Sequence, residues 1–177
     1  MKLIILDRDG VINYDSPDYI KSPAEWRPIP GSLEAIAKLN NAGYKVVVAT
    51  NQSGIGRGLF NLHTLHAIHK HLKESLAKVG GHIDFFAVCP HTPDDNCSCR
   101  KPRPGLLLQI SQRYNCSLQD VPVIGDSFRD IKAAVAVGAR PILVLTGNGV
   151  KAKIDLKPEH KVMIYKDLLE VANQLTK

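Results

Sequence analysis

Short apolar runs of four to six residues, bounded by turn-forming residues, alternate along the chain with stretches whose apolar residues recur at helical spacing. Uninterrupted apolar runs are typical of parallel strands in a sheet that helices cover on both faces. The alternation therefore predicts an α/β protein with a Rossmann-like, doubly wound parallel sheet. The expected strands cover residues 3–6, 44–49, 83–88, 121–124 and 141–145, and the expected helices cover residues 32–40, 63–79, 104–114 and 129–137.

Two segments fall outside this alternation. Prolines at positions 17, 23, 28 and 30 exclude a long helix from residues 11–30, so we expect a short flap over the end of the first strand. Residues 89–99 form a loop rich in cysteine. No internal repeat or low-complexity linker divides the chain, and 177 residues fit one domain, so we expect a single domain, residues 1–177, without a large cap domain.

Composition narrows the class of protein. A hydrophobic content of 44% and a charged content of 23% are ordinary for a globular protein, and no apolar run approaches the ~18 residues of a membrane span. Met1 leads directly into a strand rather than a signal sequence, so we expect a cytoplasmic protein with no membrane contact. The net charge of +6 would suit an anionic ligand, but the like charges form no long block, so we expect no nucleic-acid partner. We also expect a monomer.

Polar side chains gather at the ends of three predicted strands. Asp7 and Asp9 follow the first strand, residues 50–53 (Thr-Asn-Gln-Ser) follow the second, and Asp126 follows the fourth. Ligands of a parallel sheet bind beyond the carboxyl ends of its strands. Two close carboxylates there suit a hard cation such as Mg²⁺, and the hydroxyl groups suit phosphate oxygens. Asp7 and Asp9 alone are equally compatible with a loop cap paired to Arg8. The cluster at residues 50–53, taken alone, is more commonly a capped turn, and Asp126 alone could be an N-cap of the next helix.

A basic segment with the sequence Arg-Lys-Pro-Arg-Pro-Gly, residues 100–105, leads into a predicted helix. The ammonium group of Lys101 could contact both a transferring phosphoryl group and a carboxylate nucleophile. A basic loop is more commonly solvated surface, which is what we expect for Arg103. Lys101 is placed in the site because it accompanies the three strand-end clusters.

Three cysteines and a histidine lie within eleven residues of loop, in the pattern Cys-x-His-x5-Cys-x-Cys. A cytoplasmic protein seldom keeps disulfides, whereas these four side chains satisfy tetrahedral Zn²⁺ and leave no open position. We therefore predict a structural zinc site that fixes the basic segment following it; incidental buried thiols are the alternative. The predicted ligands are Cys89, His91, Cys97 and Cys99.

Histidines at positions 63, 66 and 69 repeat every third residue of a predicted helix and suggest a second metal site. No carboxylate accompanies them within the same turn. We expect instead that these histidines lie on the flanks of the helix or in solvent. The buried face would then consist of Leu62, Leu65, Ile68 and Leu72.

The four ordered motifs DxDGV, TNQSG, RKPxPG and GDSxxD together resemble those of the haloacid dehalogenase superfamily of phosphatases. The resemblance spans nearly the whole chain. It implies that Asp7 is the nucleophile of an aspartyl-phosphate intermediate and that Asp9 is the general acid and base. The further implied roles are Mg²⁺ binding by Asp7, the Asp9 carbonyl and Asp126, phosphoryl stabilisation by Thr50 and Lys101, and orientation of Lys101 or a metal-bound water by Asp130.

Within this superfamily, the zinc loop and the residues around the first two motifs resemble the heptose 1,7-bisphosphate 7-phosphatase family. That resemblance implies removal of the 7-phosphate of a phosphorylated sugar, in the synthesis of bacterial surface lipopolysaccharide. The five-residue spacer in the zinc loop is closer to the related histidinol-phosphatase domain. The implied substrate contacts are Arg100, for the second phosphate, and Asp15, Tyr19, Asn51, Gln52 and Ser53.

Three other functions stay open from the sequence. A histidinol-phosphate phosphatase would use the same catalytic residues. A nucleic-acid 3′-phosphatase would also use them, although aromatic residues make up only 6% of the chain and no Gly-x4-Gly-Lys-Ser/Thr kinase motif is present. A non-catalytic zinc-binding interaction module would leave the strand-end carboxylates unexplained.

Overall fold

Six parallel strands form one sheet in the computed structural model, which describes residues 1–177. The order across the sheet places the fourth strand beside the first, so the winding of the chain reverses between these two strands. This is the predicted doubly wound arrangement, in which ligands bind at the point of reversal. The strands, in sheet order, are β3 (Phe85–Cys89), β2 (Tyr44–Asn51), β1 (Lys2–Leu6), β4 (Pro122–Gly125), β5 (Arg140–Val144) and β6 (Met163–Tyr165).

Helices cover both faces of the sheet because alternate residues of each buried strand point to opposite sides. Ile4 and Leu6 of β1 belong to a cluster of 21 buried residues, whereas Leu3 and Ile5 belong to a second cluster of 14 on the other face. The first cluster packs under α1 (Ser32–Asn41), α3 (Leu62–Ala77) and α7 (Leu168–Leu175), and the second packs under α4 (Gly105–Tyr114) and α5 (Phe128–Ala136). Two short helices, α2 (Ser53–Gly56) and α6 (Gly149–Ile154), complete the set.

The burial of two residues of α3, a leucine and a histidine, differs from the prediction. Leu65, Ile68 and Leu72 are buried as expected, but Leu62 is 55% exposed because it is the first residue of the helix. His69, expected on a flank or in solvent, is only 6% exposed. It is buried because it contacts Arg8 and stacks on Phe86, two partners from distant parts of the chain.

The flap, residues 11–30, is anchored to the body of the protein rather than free. Val11, Ile12, Ile20 and Trp26 are buried in the first core cluster, and a single 3-10 turn, Pro23–Glu25, is its only helical element. The exposed part lies between these anchors and reaches the carboxyl edge of the sheet. No helix in the structure combines the length and the apolar character that a membrane span requires.

Candidate active site

A polar cavity of about 250 Å³ opens at the carboxyl ends of β1, β2 and β4, where the sheet reverses its winding. Only two of the 17 residues around it are hydrophobic, so it suits a charged ligand rather than an apolar one. Of the predicted catalytic, substrate and magnesium residues, Thr50 alone does not reach the wall. Those that do are Asp7, Asp9, Asp15, Tyr19, Asn51, Gln52, Ser53, Arg100, Lys101, Asp126 and Asp130.

A tight turn at Gly10 brings the first motif and Asp126 together. Gly10 has a φ of 82°, a conformation that favours glycine, and a Cβ atom added to it would collide with the carboxylate of Asp126. Gly147, in the loop after β5, approaches the same carboxylate with a φ of 55°. Two glycines therefore allow the backbone to enclose Asp126.

Lys101 is buried at the base of the cavity, bound to the carboxylate of Asp7. Its Nζ lies 3.1 Å from Asp7 Oδ1 and 2.7 Å from Asp130 Oδ1, and it donates a third bond of 2.8 Å to the carbonyl of Ala49. Burial opposes the charge of Lys101, but the two carboxylates outweigh it and raise the pKa of the ammonium group. Lys101 is therefore a fixed cation in the site at neutral pH.

Asp7 occupies an environment that resists its own negative charge. Burial raises the pKa of Asp7 well above its ordinary value; Lys101 lowers it, and the neighbouring Asp130, Asp126 and Asp9 raise it further. One oxygen, Oδ1, accepts a hydrogen bond from the main-chain N–H of Arg8 at 2.7 Å and contacts Lys101, whereas Oδ2 makes no hydrogen bond within the protein. The free oxygen faces the cavity.

Three carboxylates, those of Asp7, Asp126 and Asp130, lie with their oxygens within 4.8 Å of one another. Burial and then the charge of Asp130 raise the pKa of Asp126 to about 6, although the hydrogen bond from the Asn148 main chain acts to lower it. Such crowding of anions is compensated when a divalent cation lies between them. The Asp9 side chain is outside this cluster, so its main-chain carbonyl is the group that remains available to a cation.

Asp130 is held by hydrogen bonds on both of its oxygens. Oδ1 accepts from Lys101, and Oδ2 accepts from the main chain and the hydroxyl of Ser127 at 3.0 and 2.7 Å. Ser127 and Asp130 form the capping box that begins α5, so one carboxylate both starts this helix and fixes the lysine. This geometry supports the predicted orienting role for Lys101, because neither oxygen of Asp130 is free.

Asp9 also lines the cavity, and its carboxylate is surrounded by hydrogen-bond donors. Its Oδ1 accepts from Arg8 Nε and Asn13 Nδ2, both at 2.9 Å, and its Oδ2 accepts from Gln52 Nε2 at 3.0 Å. Burial would raise the pKa of Asp9, but Arg8 and these hydrogen bonds outweigh it and lower the pKa below its ordinary value. Asp9 is therefore ionised in the ligand-free protein.

Residues 50–53 contribute to the site in different ways. The hydroxyl of Thr50 is fully buried and accepts a 2.9 Å hydrogen bond from Gln52. The amide of Asn51 pairs with the main chain of Lys101 in both directions, at 3.1 Å each, so it fixes the lysine backbone. Ser53 lies at the start of α2 in the cavity wall.

The mouth of the cavity contains residues that sequence reasoning did not assign. Asn148 donates from its main chain to Asp126 Oδ2 at 2.8 Å, and its side chain donates to Asp15 of the flap at 3.3 Å. Arg129 and Ser127, at the start of α5, also line the cavity. Asn148 lies four residues beyond the end of β5, in a Thr-Gly-Asn-Gly segment. The tendency of polar residues to cluster after strand ends was therefore a signal that could have identified it.

Arg100 joins the main cavity to a second one of about 380 Å³ beside the zinc loop. It is partly buried, and its Nη1 donates to the carbonyl of His91 at 3.4 Å. Burial and then the nearby Arg129 lower the pKa of Arg100. Two guanidinium groups thus lie together at one side of the cavity mouth, where they would attract an anion.

The cysteine-rich loop closes into a cluster of four side chains. The sulfur atoms of Cys89, Cys97 and Cys99 lie 3.2 to 3.7 Å apart, and Nδ1 of His91 lies 3.6 and 3.3 Å from the first and third. Tetrahedral zinc with ordinary Zn–S bonds separates its sulfur ligands by about 3.7 Å. The four side chains therefore fit one zinc ion, and Cys116 lies apart from them, half-buried against the core.

Comparison with known proteins agrees with this geometry. A family model described as polynucleotide kinase 3 phosphatase matches residues 2–130, and one described as HAD-hydrolase-like matches residues 98–171. The chain belongs to the haloacid dehalogenase-like phosphatases, which confirms the resemblance seen in its motifs.

Within that class, the chain is similar over its whole length to D-glycero-beta-D-manno-heptose-1,7-bisphosphate 7-phosphatases. It is 52% identical to the enzyme of that name from Bordetella bronchiseptica, over 99% of this chain and 98% of the relative. The crystal structure of the D,D-heptose 1,7-bisphosphate phosphatase from B. bronchiseptica, complexed with magnesium and phosphate, superimposes with a TM-score of 0.97 over 99% of this chain and 98% of that one. An alpha-anomer phosphatase from Mycobacterium bovis is 42% identical over 77% of this chain and 73% of its own length.

Proposed function

We propose that the protein is a magnesium-dependent phosphatase that removes the 7-phosphate of D-glycero-β-D-manno-heptose 1,7-bisphosphate through an aspartyl-phosphate intermediate. The observation on which this rests is the pairing of Lys101 with one oxygen of Asp7 while the other oxygen is free and faces a polar cavity. A carboxylate held in this way is aimed as a nucleophile. The similarity to the Bordetella enzyme supplies the substrate.

The first chemical step is attack of Asp7 Oδ2 on the phosphorus of the 7-phosphate. Attack of an anion on a dianion is opposed by charge repulsion, so cations must neutralise the phosphoryl oxygens. Lys101 lies at hydrogen-bond distance from the nucleophile. The Thr50 hydroxyl is buried and accepts from Gln52, so its own proton is free to be donated to a phosphoryl oxygen. The Asp7 carboxylate, Asp126 and the Asp9 carbonyl would hold Mg²⁺, which supplies further positive charge at a phosphoryl oxygen.

Asp9 would protonate the departing sugar alkoxide and later remove a proton from the water that hydrolyses the aspartyl-phosphate. In the ligand-free site Asp9 is ionised, which suits the second task. Entry of a phosphate dianion next to Asp9 favours proton uptake, because a neighbouring negative charge raises the pKa of a carboxyl group. Arg8, Asn13 and Gln52 hold this side chain in place through hydrogen bonds to both of its oxygens.

Zinc would have a structural role. The four protein side chains would fill all four coordination positions of a tetrahedral zinc ion and leave none for substrate. The last ligand, Cys99, directly precedes Arg100 and Lys101, so binding of the ion fixes the loop that presents both cations. We propose that Arg100, with Arg129 beside it, contacts the second phosphate, and that Asp15 and Tyr19 of the flap contact sugar hydroxyls.

A nucleic-acid 3′-phosphatase is the second candidate, because the family model that matches residues 2–130 is described by that activity. The net charge of +6 is compatible with it. The flap argues for a small substrate, since Asp15 is tied to Asn148 across the mouth of the cavity.

The test compares kcat/KM, in the presence of Mg²⁺, for the two anomers of heptose 1,7-bisphosphate, fructose 1,6-bisphosphate, histidinol phosphate and a 3′-phosphorylated oligonucleotide. We expect the β-anomer to be the best substrate and Asp7→Asn to abolish turnover while the protein stays folded. A preference for histidinol phosphate or the oligonucleotide would overturn the substrate, and near-normal activity of Asp7→Asn would overturn the nucleophile.

A further inference from the structure

The side chain of Arg8 is fully buried, directly behind Asp9. Its Nε and Nη2 both contact Asp9 Oδ1, at 2.9 and 2.8 Å, and Nη2 lies 3.3 Å from Oε1 of Gln52. The remaining nitrogen, Nη1, lies 3.2 Å from Nε2 of His69. The position of the guanidinium group is therefore set by three partners, of which His69 is the one outside the catalytic motifs.

His69 is built into the fold as a hydrogen-bond acceptor. It lies on α3, is 6% exposed, and stacks on the ring of Phe86 with 4.1 Å between ring centroids and 17° between ring planes. A guanidinium group has only donors, so Nε2 must accept the bond and Nδ1 must carry the proton. Burial, and then Arg8, lower the pKa of His69 to about 3, which keeps the ring neutral and able to accept.

We propose that His69 is a positioning residue for the acid and base chemistry of Asp9 and that it acts through Arg8. Without the imidazole, Nη1 of Arg8 would be a buried donor with no partner, a state that proteins avoid by moving the group. Movement of the guanidinium would remove two contacts from Asp9 Oδ1 and leave its carboxylate to Asn13 and Gln52. This inference rests on the proposed function, because it needs Asp9 to be the general acid.

The leaving group provides a test that a loss of stability alone would not imitate. A sugar alkoxide needs a proton to depart, whereas p-nitrophenolate does not, and kcat/KM reports on steps up to phosphoryl transfer. We expect His69→Leu to lower kcat/KM about tenfold for heptose 1,7-bisphosphate and less than about twofold for p-nitrophenyl phosphate. The tenfold loss is a fraction of the ~10²–10⁴-fold that a positioned general acid contributes to the rate. An equal loss on both substrates, or no loss on the sugar phosphate, would overturn the proposal.

Three variants complete the experiment. His69→Gln, whose Oε1 can accept from Arg8, should recover most of the activity towards the sugar phosphate; a loss as large as that of His69→Leu contradicts the role of the acceptor. His66→Leu, an exposed histidine one turn earlier on α3, should behave as wild type. If His69→Leu does not fold, His69→Met takes its place and should show the same selective loss of kcat/KM on the sugar phosphate.

Asp9→Asn distinguishes failure of the proposed role of Asp9 from failure of the inference about His69. It should show the same dependence on the leaving group in a stronger form. If it does not, Asp9 is not the general acid and the proposed function is wrong at that point. If Asp9→Asn shows the dependence and the leucine variant does not, Asp9 keeps its role and the inference about His69 is refuted.

Discussion

Replacing Asp126 by asparagine should stabilise the metal-free protein while destroying its activity. The carboxylate is buried among Asp7 and Asp130, and its pKa is raised from an ordinary value of 3.8 to about 6. The folded protein therefore holds the Asp126 proton more tightly than the unfolded chain, and ionisation of this group opposes folding. Asparagine has nearly the same shape, and its Oδ1 can accept the bonds that Asn148 now donates.

The size of the effect and its pH range come from the same two values. Below pH 4 the carboxyl group is protonated in both states, so it contributes no difference. Between pH 4 and 6 the group is ionised in the unfolded chain but still protonated in the folded protein. Wild type therefore loses ~1.4 kcal/mol per pH unit over this range, about 3 kcal/mol in all, and the loss is complete above pH 6. The variant has no such loss.

The assay is urea unfolding at several pH values in buffer without Mg²⁺ and without chelator, so that zinc is retained. Asp155→Asn, an exposed aspartate at the end of α6 without side-chain hydrogen bonds, is the matched control. Added Mg²⁺ should stabilise wild type and have little effect on Asp126→Asn, because binding to the folded state raises its stability. If Asp126→Asn is no more stable than wild type at pH 8 without Mg²⁺, ionisation of Asp126 does not oppose folding.

Three further changes test the tight turn at Gly10, the zinc loop and the guanidinium group of Arg100 at the cavity mouth. Gly10→Ala should lower kcat and weaken Mg²⁺ activation, because the added Cβ collides with Asp126. Gly58→Ala is the control: Gly58 also has a positive φ, 73°, but no atom lies near the added Cβ. It shares only the backbone strain of ~1–2 kcal/mol and should stay active. Cys99→Ser should lose zinc and kcat/KM together, while Cys116→Ser keeps both; activity without zinc would contradict this. Arg100→Ala should raise KM for the bisphosphate more than for p-nitrophenyl phosphate in steady-state assays.

The sheet and the position of the site could be predicted because both follow from local patterns. Four strands were recognisable from continuous apolar runs, and β5 from Pro141 onward, to within two residues at each end. The carboxyl ends of parallel strands meet at one edge whatever the details of packing, so the strand-end motifs converge. The last strand, β6, escaped prediction because Met163–Tyr165 is short, lies at the sheet edge and is only partly buried.

The contacts around Arg8 and His69 could not be predicted for a different reason. They join residues 61 positions apart, and their burial depends on how α3 lies over the sheet. Helical periodicity indicates which face of α3 is apolar, but not that one turn of it meets a guanidinium group. Asn51 is a similar case, since its bonds to the Lys101 main chain depend on the course of the zinc loop.

The proposed mechanism depends on Asp7 as the nucleophile, and chemical trapping detects the covalent intermediate that this role requires. The enzyme is mixed with substrate and Mg²⁺, quenched within a turnover and treated with borohydride, which reduces an aspartyl-phosphate to homoserine. Peptide mass spectrometry should find the reduced residue at position 7 in wild type and no modification in Asp7→Asn. Reduction at another carboxylate, or turnover with no trapped residue at any quench time, would contradict the mechanism.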